Sequence, residues 1–379
     1  MIYFDNAATG GRKPDTVLTA VQSSLKVCAN PGRGGHKLAL SCAKLVQDTR
    51  NTLDSYFDGY GFDRVIFTKN CTEALNIAIL GTLKKGDHVI VSCAEHNSVL
   101  RPLEFLKKQN LITYDVCPLD NEKGNASVSL SALARLLTPR TKLVAVTLAS
   151  NVNGMLPSIE NIKNLLPKNV LLLCDGAQAG GHIKISMNRL GIDFLTLAGH
   201  KGLLGIQGSG ALLFSDRVKP APILFGGTGS LSISLDMPDF YPDALEAGTL
   251  NFPAVVSLLE GIRYLITHEK QIQSRMLMLT AYFLNKLSAL HAYTIFSKVN
   301  PCGIVAFSHH VLPSEYIADT LSSTYNIAVR GGLHCAPLMH KALDSLDGGL
   351  VRVSFSYFNS EREIDSLIEA LEKIDHSKT

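Results

Sequence analysis

A lysine and an aspartate follow two apolar runs of this sequence. Lys201 lies in LAGHKGLLGIQGSGAL, within a stretch that contains five glycines between Gly199 and Gly210. Asp175 directly follows VLLLC, so its carboxylate should emerge from a buried strand, where a charge needs a partner. A pyridinium nitrogen is such a partner, because the carboxylate keeps it protonated and the ring can then accept electrons from a substrate carbanion. The ordinary alternatives are a solvated lysine and an aspartate that caps the next helix.

Three further residues lie where they could contact the same ring or its phosphate. Gln178 could reach the phenolic oxygen of the ring, and His96, at the end of the strand HVIVSCA, could stack on its face. Thr72 lies at the start of a predicted helix, with Asn70 as the N-cap, where a phosphate meets free N–H groups and the positive end of the helix dipole. Simple capping and ordinary hydrogen bonding are the structural alternatives. Together these residues favour a pyridoxal 5'-phosphate (PLP) site.

The elements that must position these residues are short apolar runs that alternate with helix-length segments between residues 60 and 215. The runs are RVIFT, HVIVSCA, LITYDVC, KLVAVTLAS, NVLLLCDGA, DFLTLAG and GALLF. Such apolar strands separated by helices predict an α/β fold with a mostly parallel seven-stranded sheet covered on both faces. Ligands of such sheets bind beyond the carboxyl ends of the strands, which is where the residues above lie.

The pattern changes after about residue 250. Apolar residues then recur at helical spacing over NFPAVVSLLEGIRYLITHEKQIQSRMLMLTAYFLNKLSAL, and the short strands TIFSKV and GIVAFSH follow. A chain of 379 residues is also long for a single core. We therefore predict an N-terminal segment packing near the active site (residues 1–15), a large PLP-binding domain (16–250) and a small α+β C-terminal domain (251–379).

Ten segments, in order along the chain, resemble the cysteine desulfurase and selenocysteine lyase family, a class-V aminotransferase-like group of fold-type I PLP enzymes. They are YFDNAATG, NPGRGGHKLAL, FTKNCTEALN, AEHNSVLRPL, ASNVNG, DGAQAGGH, AGHKGLLGIQGSGAL, ALEAGTLN, VRGGLHCAP and VRVSFSYFNSEREID. The resemblance covers nearly the whole chain. It implies the fold-type I architecture and PLP as the cofactor.

The resemblance also implies a role for each residue around the cofactor ring. Lys201 is implied as the Schiff-base lysine and Asp175 as the partner of the pyridinium nitrogen. Gln178 is implied as the partner of the phenolate oxygen, and His96 as the stacking imidazole that transfers protons.

On the phosphate side, the resemblance implies that Thr72 and His200 are ligands, and it places Cys71 among the cofactor-binding residues. Thr249, in EAGTLN, corresponds to a residue that reaches the phosphate of the neighbouring subunit. A homodimer is therefore implied.

For the substrate, Asn151 and Arg352 match the positions that grip the α-carboxylate, and a bidentate guanidinium suits that group. We add Arg330, Ala7 and His36 as further substrate-binding residues. The implied substrate is L-cysteine.

Cys335, in RGGLHCAP, matches the catalytic cysteine of desulfurases. The flanking His334 and the nearby Arg330 favour a thiolate in this loop of the predicted small domain. In the implied mechanism Lys201 removes the α-proton and the Cys335 thiolate attacks the substrate sulfur. Alanine leaves, and Cys335 keeps a persulfide for transfer to an acceptor protein.

Two positions depart from the family pattern. Ala198 stands where the family usually has a hydroxyl residue that binds phosphate, which predicts weaker cofactor anchoring. Leu333 stands where sulfur-assimilation desulfurases usually have a second histidine. Three alternatives therefore remain open: a selenocysteine lyase acting on L-selenocysteine, a class-V PLP aminotransferase or other β-lyase in which Cys335 is incidental, and an inactive scaffold that docks a sulfur carrier.

The composition excludes several other classes of protein. The net charge of +3 arises from 36 basic and 33 acidic residues without a basic block, which argues against nucleic-acid binding. No apolar stretch approaches the roughly 20 residues needed to span a bilayer, and no secretory signal is visible. Eight cysteines without a CxxC pair argue against a metal site or a disulfide framework. We expect a cytoplasmic enzyme.

Overall fold

The computed structural model describes residues 1–27, 29–31, 34–122 and 125–376. The strands are β1 (Ile2–Tyr3), β2 (Val65–Thr68), β3 (Asp87–Ser92), β4 (Ile112–Cys117), β5 (Leu119–Glu122), β6 (Asn125–Val128), β7 (Thr141–Thr147), β8 (Leu171–Asp175), β9 (Phe194–Ala198), β10 (Gly210–Phe214), β11 (Tyr293–Ile295), β12 (Ile304–His309), β13 (Ile327–Ala328) and β14 (Val351–Ser354). The α-helices are α1 (Asp15–Ser24), α2 (Lys37–Phe57), α3 (Cys71–Leu80), α4 (Asn97–Lys108), α5 (Leu130–Leu136), α6 (Ile159–Leu165), α7 (Met187–Leu190), α8 (Phe252–Leu287), α9 (Ser314–Tyr325), α10 (Pro337–Ala342) and α11 (Glu361–His376).

Seven strands form the central sheet, in the order β2-β10-β9-β8-β7-β3-β4. Strand β10 runs antiparallel to both of its neighbours, and the other neighbouring strands are parallel. Every residue of β8 and β9 is buried. Helices cover both faces of the sheet, so these strands have no solvent-exposed face on which polar residues would alternate with apolar ones. Each of the seven apolar runs contributes one strand, so the predicted fold class is confirmed.

The loops that leave β8 and β9 pack backbone against backbone. Gly181 has a φ of +88°, and a Cβ there would lie 2.2 Å from the carbonyl oxygen of Gly202. A Cβ on Gly202 would lie 2.3 Å from the carbonyl oxygen of Gly180. Because only glycine fits this approach, the loop that carries Lys201 is held directly against the loop that begins at Asp175.

The C-terminal part combines helices with a three-stranded antiparallel sheet, in the order β11-β12-β14. Helix α8, with 36 residues, packs against α1 and α2 and continues to α11 and β12. The predicted α+β character of this part is confirmed, whereas the domain boundary at residue 250 stays a prediction. Although α8 is long, none of the described helices has the length and apolarity needed to cross a membrane.

The first ten residues connect the C-terminal part to the central sheet. Strand β1 pairs in parallel with β13, and Asp5 forms a bridge with Ser354 at the end of β14. The N–H of Gly10 then donates to the carbonyl oxygen of His200 at 2.9 Å. The N-terminal residues therefore reach the loop that carries Lys201.

A buried ion pair fixes the edge of the central sheet at β2. Arg50 Nη2 lies 2.5 Å from Glu246 Oε2, and the side chains are 5% and 7% exposed. Glu246 Oε1 also accepts the N–H of Phe67 at 2.7 Å. Because β2 leads directly into α3, this pair helps to position the N-terminus of that helix.

We expect Glu246→Ala to lower the free energy of unfolding by about 3–5 kcal/mol, because it leaves the Arg50 guanidinium buried without its counter-charge. Urea unfolding followed by circular dichroism measures the change. Asp365→Asn is the matched control, since Asp365 pairs with Lys286 on the surface, where both side chains are more than a third exposed. It should have little effect, and equal losses in the two variants would contradict the prediction.

Candidate active site

A cavity of about 80 Å³ opens at the carboxyl ends of β7, β8 and β9. Its lining residues are Asn70, Cys71, Thr72, His96, Ser98, Thr147, Asn151, Asp175, Ala177, Gln178, Ala198, His200 and Lys201. All of the cofactor-binding residues predicted from the sequence line it except Thr249. The cavity therefore lies where ligands bind in parallel α/β sheets, beyond the carboxyl ends of the strands.

Asp175 lies on the floor of this cavity and is 4% exposed. Its Oδ1 accepts the backbone N–H of Ala177 at 2.9 Å and the thiol of Cys71 at 3.4 Å. Burial raises the pKa of Cys71 well above its usual value, so this thiol is a neutral donor to the carboxylate. The next helix begins only at Met187, so the alternative in which Asp175 caps a following helix is wrong.

Lys201 faces the same floor. Burial lowers the pKa of its amine, and the charge of Asp175 partly counteracts this effect. A lowered pKa makes the neutral amine available, which is the form that attacks carbonyl carbon and accepts protons.

His96 is joined to Thr72 by a chain of hydroxyl groups. It lies four residues beyond the end of β3 and caps α4, so its expected position at the strand end is wrong. Its Nδ1 accepts the N–H of Ser98 at 3.0 Å and lies 2.6 Å from Ser98 Oγ, which lies 3.0 Å from Thr72 Oγ1. Since Nδ1 accepts, the ring proton resides on Nε2. Burial lowers the pKa of His96 to about 4, so the imidazole is neutral.

The N-terminal residues orient two other cavity side chains. Gln178 Nε2 donates to the carbonyl oxygen of Ala7 at 2.9 Å. His200 Nδ1 lies 3.1 Å from Thr9 Oγ1, and burial lowers the pKa of His200 to about 4. Ala7 is thus close to the cavity through its backbone, although it does not line it.

The loop around Cys335 docks against the rim of the cavity. The carbonyl oxygen of Cys335 accepts the N–H of Asn97 at 2.7 Å, and that of His334 accepts Asn151 Nδ2 at 2.7 Å. The thiol itself is exposed and lies 3.9 Å from Arg330 Nη2, which donates to it. The structure therefore places a thiol beside a cation, on a loop whose main chain contacts the residue that follows His96.

Arg352 is buried between the loop of Asn151 and the N-terminal residues. Its Nη1 donates to the carbonyl oxygen of Asn151 at 3.0 Å, and its Nη2 donates to Asp5 Oδ1 at 2.8 Å. The structure thus brings Asn151 and Arg352 together, as a carboxylate site requires. Asp5 is an additional partner that the sequence did not indicate.

Two of the predicted site residues lie away from the cavity. Thr249 is exposed beside a separate surface cavity, where its Oγ1 accepts Asn30 Nδ2 at 3.4 Å. His36 is also exposed, and its Nδ1 caps α2 by accepting the N–H of Ala39. Neither residue lines the cavity that contains Lys201.

Glu95 is not among the residues predicted from the sequence, and it is fully buried against Thr147, which lines the cavity. Its Oε1 accepts Ser92 Oγ at 2.5 Å and the N–H of Thr147 at 2.7 Å. Burial raises the pKa of Glu95 to about 8, and the charge of Asp175 adds to that effect. A glutamate directly before His96 in a strand-to-helix turn was the available signal.

The profile of the family described as Aminotransferase class-V matches residues 2–367. The chain belongs to the class-V aminotransferase family. Among its relatives in this family is a probable cysteine desulfurase from Methanothermobacter thermautotrophicus, 32% identical over 98% of this chain and 94% of that protein. Another, from Pyrococcus abyssi, is 31% identical over 99% of this chain and 94% of that protein.

A solved structure of similar shape is the apo cysteine desulfurase from Thermococcus onnurineus NA1. It has a TM-score of 0.87 and 29% identity, and it covers 98% of this chain and 94% of that one. This class-V family member therefore shares its whole architecture with that enzyme.

The raised pKa of the buried Glu95 makes the free energy of unfolding depend on pH. Its folded pKa of about 8 exceeds the reference value of 4.5, so the folded chain binds more protons between these pH values. The resulting stabilisation is complete below about pH 4.5 and is lost as the pH rises to about 8. We expect the unfolding free energy of the wild type to fall by about 2 kcal/mol more than that of Glu95→Gln between pH 6 and pH 8.

Urea unfolding at the two pH values measures this difference. The matched control is Glu160→Gln, which changes an exposed glutamate side chain. Equal pH dependence in wild type and Glu95→Gln would show that Glu95 is ionised in the folded protein.

Proposed function

We propose that this protein is a PLP-dependent cysteine desulfurase that converts L-cysteine to L-alanine and keeps the sulfur on Cys335. The observation that carries the proposal is the docking of the Cys335 loop on the rim of the Lys201 cavity through the N–H of Asn97. This contact holds the loop that carries the thiol at the rim of the cavity that the amine and the buried carboxylate line. The names of the relatives in sequence and structure favour sulfur chemistry over the selenocysteine lyase and aminotransferase alternatives.

The residues around the cavity fit PLP. Asp175 offers a buried carboxylate to a pyridinium nitrogen, and Lys201 offers the amine for the Schiff base. The start of α3 offers free N–H groups to a phosphate. Thr72 and Ser98 supply hydroxyl groups at the same end of the cavity, which compensates for the absent hydroxyl at Ala198. When bound, PLP supplies an electron sink for the substrate carbon from which the proton is removed.

Lys201 and His96 carry out the proton transfers. The lowered pKa of the lysine makes its Nζ the base that takes the α-proton of the substrate. His96 is neutral with its hydrogen on Nε2, so it donates a hydrogen bond from that atom while Ser98 holds Nδ1, and it passes on a proton only after it has accepted one. Gln178, held by Ala7, is the partner of the phenolic oxygen.

The substrate carboxylate binds at Arg352, and Asn151 holds the guanidinium from the other side. The Cys335 thiolate then attacks the substrate sulfur. The new S–S bond forms as the Cβ–S bond breaks, the electron pair remains with carbon, and protonation of the carbon gives alanine. Because Arg330 lies beside the sulfur, its charge offsets that of the persulfide anion.

The exposure of Cys335 also suits transfer of the persulfide sulfur to an acceptor protein. Leu333, two residues earlier, is 39% exposed, so the loop presents an apolar side chain next to the thiol. We assign this loop as the contact for the acceptor.

A substrate screen with three forms of the protein tests the proposal. Wild type should produce alanine from L-cysteine, and Lys201→Ala should produce none, because the base and the Schiff-base amine are the same atom. Cys335→Ala should turn over L-cysteine at least about 100-fold more slowly than wild type, which is the scale expected for loss of a nucleophile. Mass spectrometry should find one extra sulfur on wild-type Cys335 after a single turnover.

The same screen includes L-selenocysteine and an amino acid without sulfur or selenium. If alanine formed from L-selenocysteine and not from L-cysteine, the protein would be a selenocysteine lyase and the proposal would be wrong. If Cys335→Ala turned over the amino acid without sulfur or selenium as fast as wild type does, an aminotransferase or β-lyase would be supported instead.

We further propose that the protein is a homodimer. Residues 224–240 expose six large apolar side chains, and Thr249 lies on the same side of the chain beside a cavity that residue 224 also lines. The exposed side chains are Leu224, Phe225, Leu231, Ile233, Leu235 and Phe240. An apolar patch of this kind is typical of a protein–protein contact, and Thr249 would reach the neighbouring site only across such a contact.

Ile233 and Leu235 are fully exposed, so they provide the test of the dimer. The double change Ile233→Asp and Leu235→Asp should convert the dimer to a monomer in light scattering after gel filtration, because burying two carboxylates is costly. Val311→Asp, at a site that is 81% exposed in the C-terminal part, should leave the dimer intact. A monomeric wild type at every concentration would contradict the proposal.

A further inference from the structure

The guanidinium of Arg352 already has an anionic partner within this chain. Its Nη2 donates to Asp5 Oδ1 at 2.8 Å, and its Nη1 donates to the carbonyl oxygen of Asn151. Its Nε is buried and has no hydrogen-bond partner among the described residues. The Arg352 side chain is 1% exposed and that of Asp5 is 22% exposed. Of the two groups bonded to the guanidinium, Asp5 is therefore the one that a ligand from solvent meets.

A second arginine, Arg330, pairs with Arg352 through the main chain, and its positive charge acts on Arg352. Arg330 and Arg352 face each other in an antiparallel bridge, with N–H to O distances of 3.2 and 2.7 Å. Burial lowers the pKa of Arg352, and the charge of Asp5 opposes that effect, so the carboxylate is what compensates the buried cation. A ligand that displaced Asp5 without bringing a negative charge would leave that cation uncompensated.

We propose that Asp5 is an internal substitute for the substrate carboxylate, bound to Arg352 until the α-carboxylate of the substrate replaces it on Nη2. This inference rests on the proposed function, in which Arg352 binds that carboxylate. Asp5 is then a residue that determines specificity. It weakens the binding of every carboxylate by competing for the same N–H groups, and it excludes ligands of the same shape that lack the charge.

The exchange requires only a rotation of the Asp5 side chain, because other groups hold the backbone around it. Asn6 Nδ2 donates to the carbonyl oxygen of Ser354 at 2.9 Å, and the N–H of Ala7 donates to Ser354 Oγ at 2.9 Å. The Tyr3 hydroxyl donates to the main-chain oxygen of Asp5 at 3.2 Å. None of these bonds uses the carboxylate, so Asp5→Asn keeps the main-chain contacts of this segment, and its amide oxygen is still able to accept a hydrogen bond from Arg352.

Calorimetric titration of the holoenzyme with propionate, and with propionamide as its uncharged isostere, tests the proposal. Asp5→Asn should bind propionate about tenfold more tightly than wild type, the order expected for removing one like charge beside a partly solvated guanidinium. Asp5→Glu keeps the competing charge and should bind propionate no more tightly than wild type. Asp15→Asn makes the same change of net charge at an exposed position and should match wild type.

Unchanged or weaker propionate binding in Asp5→Asn overturns the inference, and so does an equal gain for propionamide. Asp5→Ser serves as the second neutral variant should Asp5→Asn not fold. Arg352→Gln separates this inference from the proposed function. If it abolishes propionate binding while the neutral Asp5 variants show no gain, only the role of Asp5 fails. If Arg352→Gln binds propionate as wild type does, the carboxylate site and the role of Asp5 both fail.

Discussion

The carboxylate of Asp175 is buried at the end of β8, and the other groups of the site are arranged around its charge. Its donors are the N–H of Ala177 and the thiol of Cys71, both neutral. The charge raises the pKa of Lys201 and of His96 against the larger effect of burial. It also helps to keep the carboxyl group of Glu95 protonated near neutral pH. The Cys71 thiol and the Glu95 carboxyl group are therefore neutral, and the charge of Asp175 remains available to stabilise a cation in the cavity.

The N-terminal residues give this arrangement its second support, since they contact both parts of the fold. Asp5 pairs with Arg352 of the C-terminal part, while Ala7 holds Gln178 of the large sheet. The proposed substrate side and the proposed cofactor side of the site are thus joined by three consecutive residues.

The strands and the cavity residues were predictable from the sequence because both follow from local pattern. Apolar runs such as VLLLC are strands buried on both faces, and the polar residues that follow them must gather at one edge of the sheet. The ion pair of Asp5 and Arg352 was not predictable, since its members are 347 residues apart in the chain. The orientation of His96 depends on the hydroxyl of Ser98, a contact that strand periodicity does not describe.

The Cys335 loop is held in a way that leaves its sulfur exposed. His334 and Cys335 both have positive φ values, 49° and 57°, which non-glycine residues adopt at some cost in energy. The compensation comes from the main chain, because the carbonyl oxygens of these two residues accept hydrogen bonds from Asn151 and Asn97. Anchoring by the carbonyl groups fixes the position of the loop without engaging the thiol in the core. A sulfur carrier requires this combination, because the same atom must meet the substrate inside the site and an acceptor outside it.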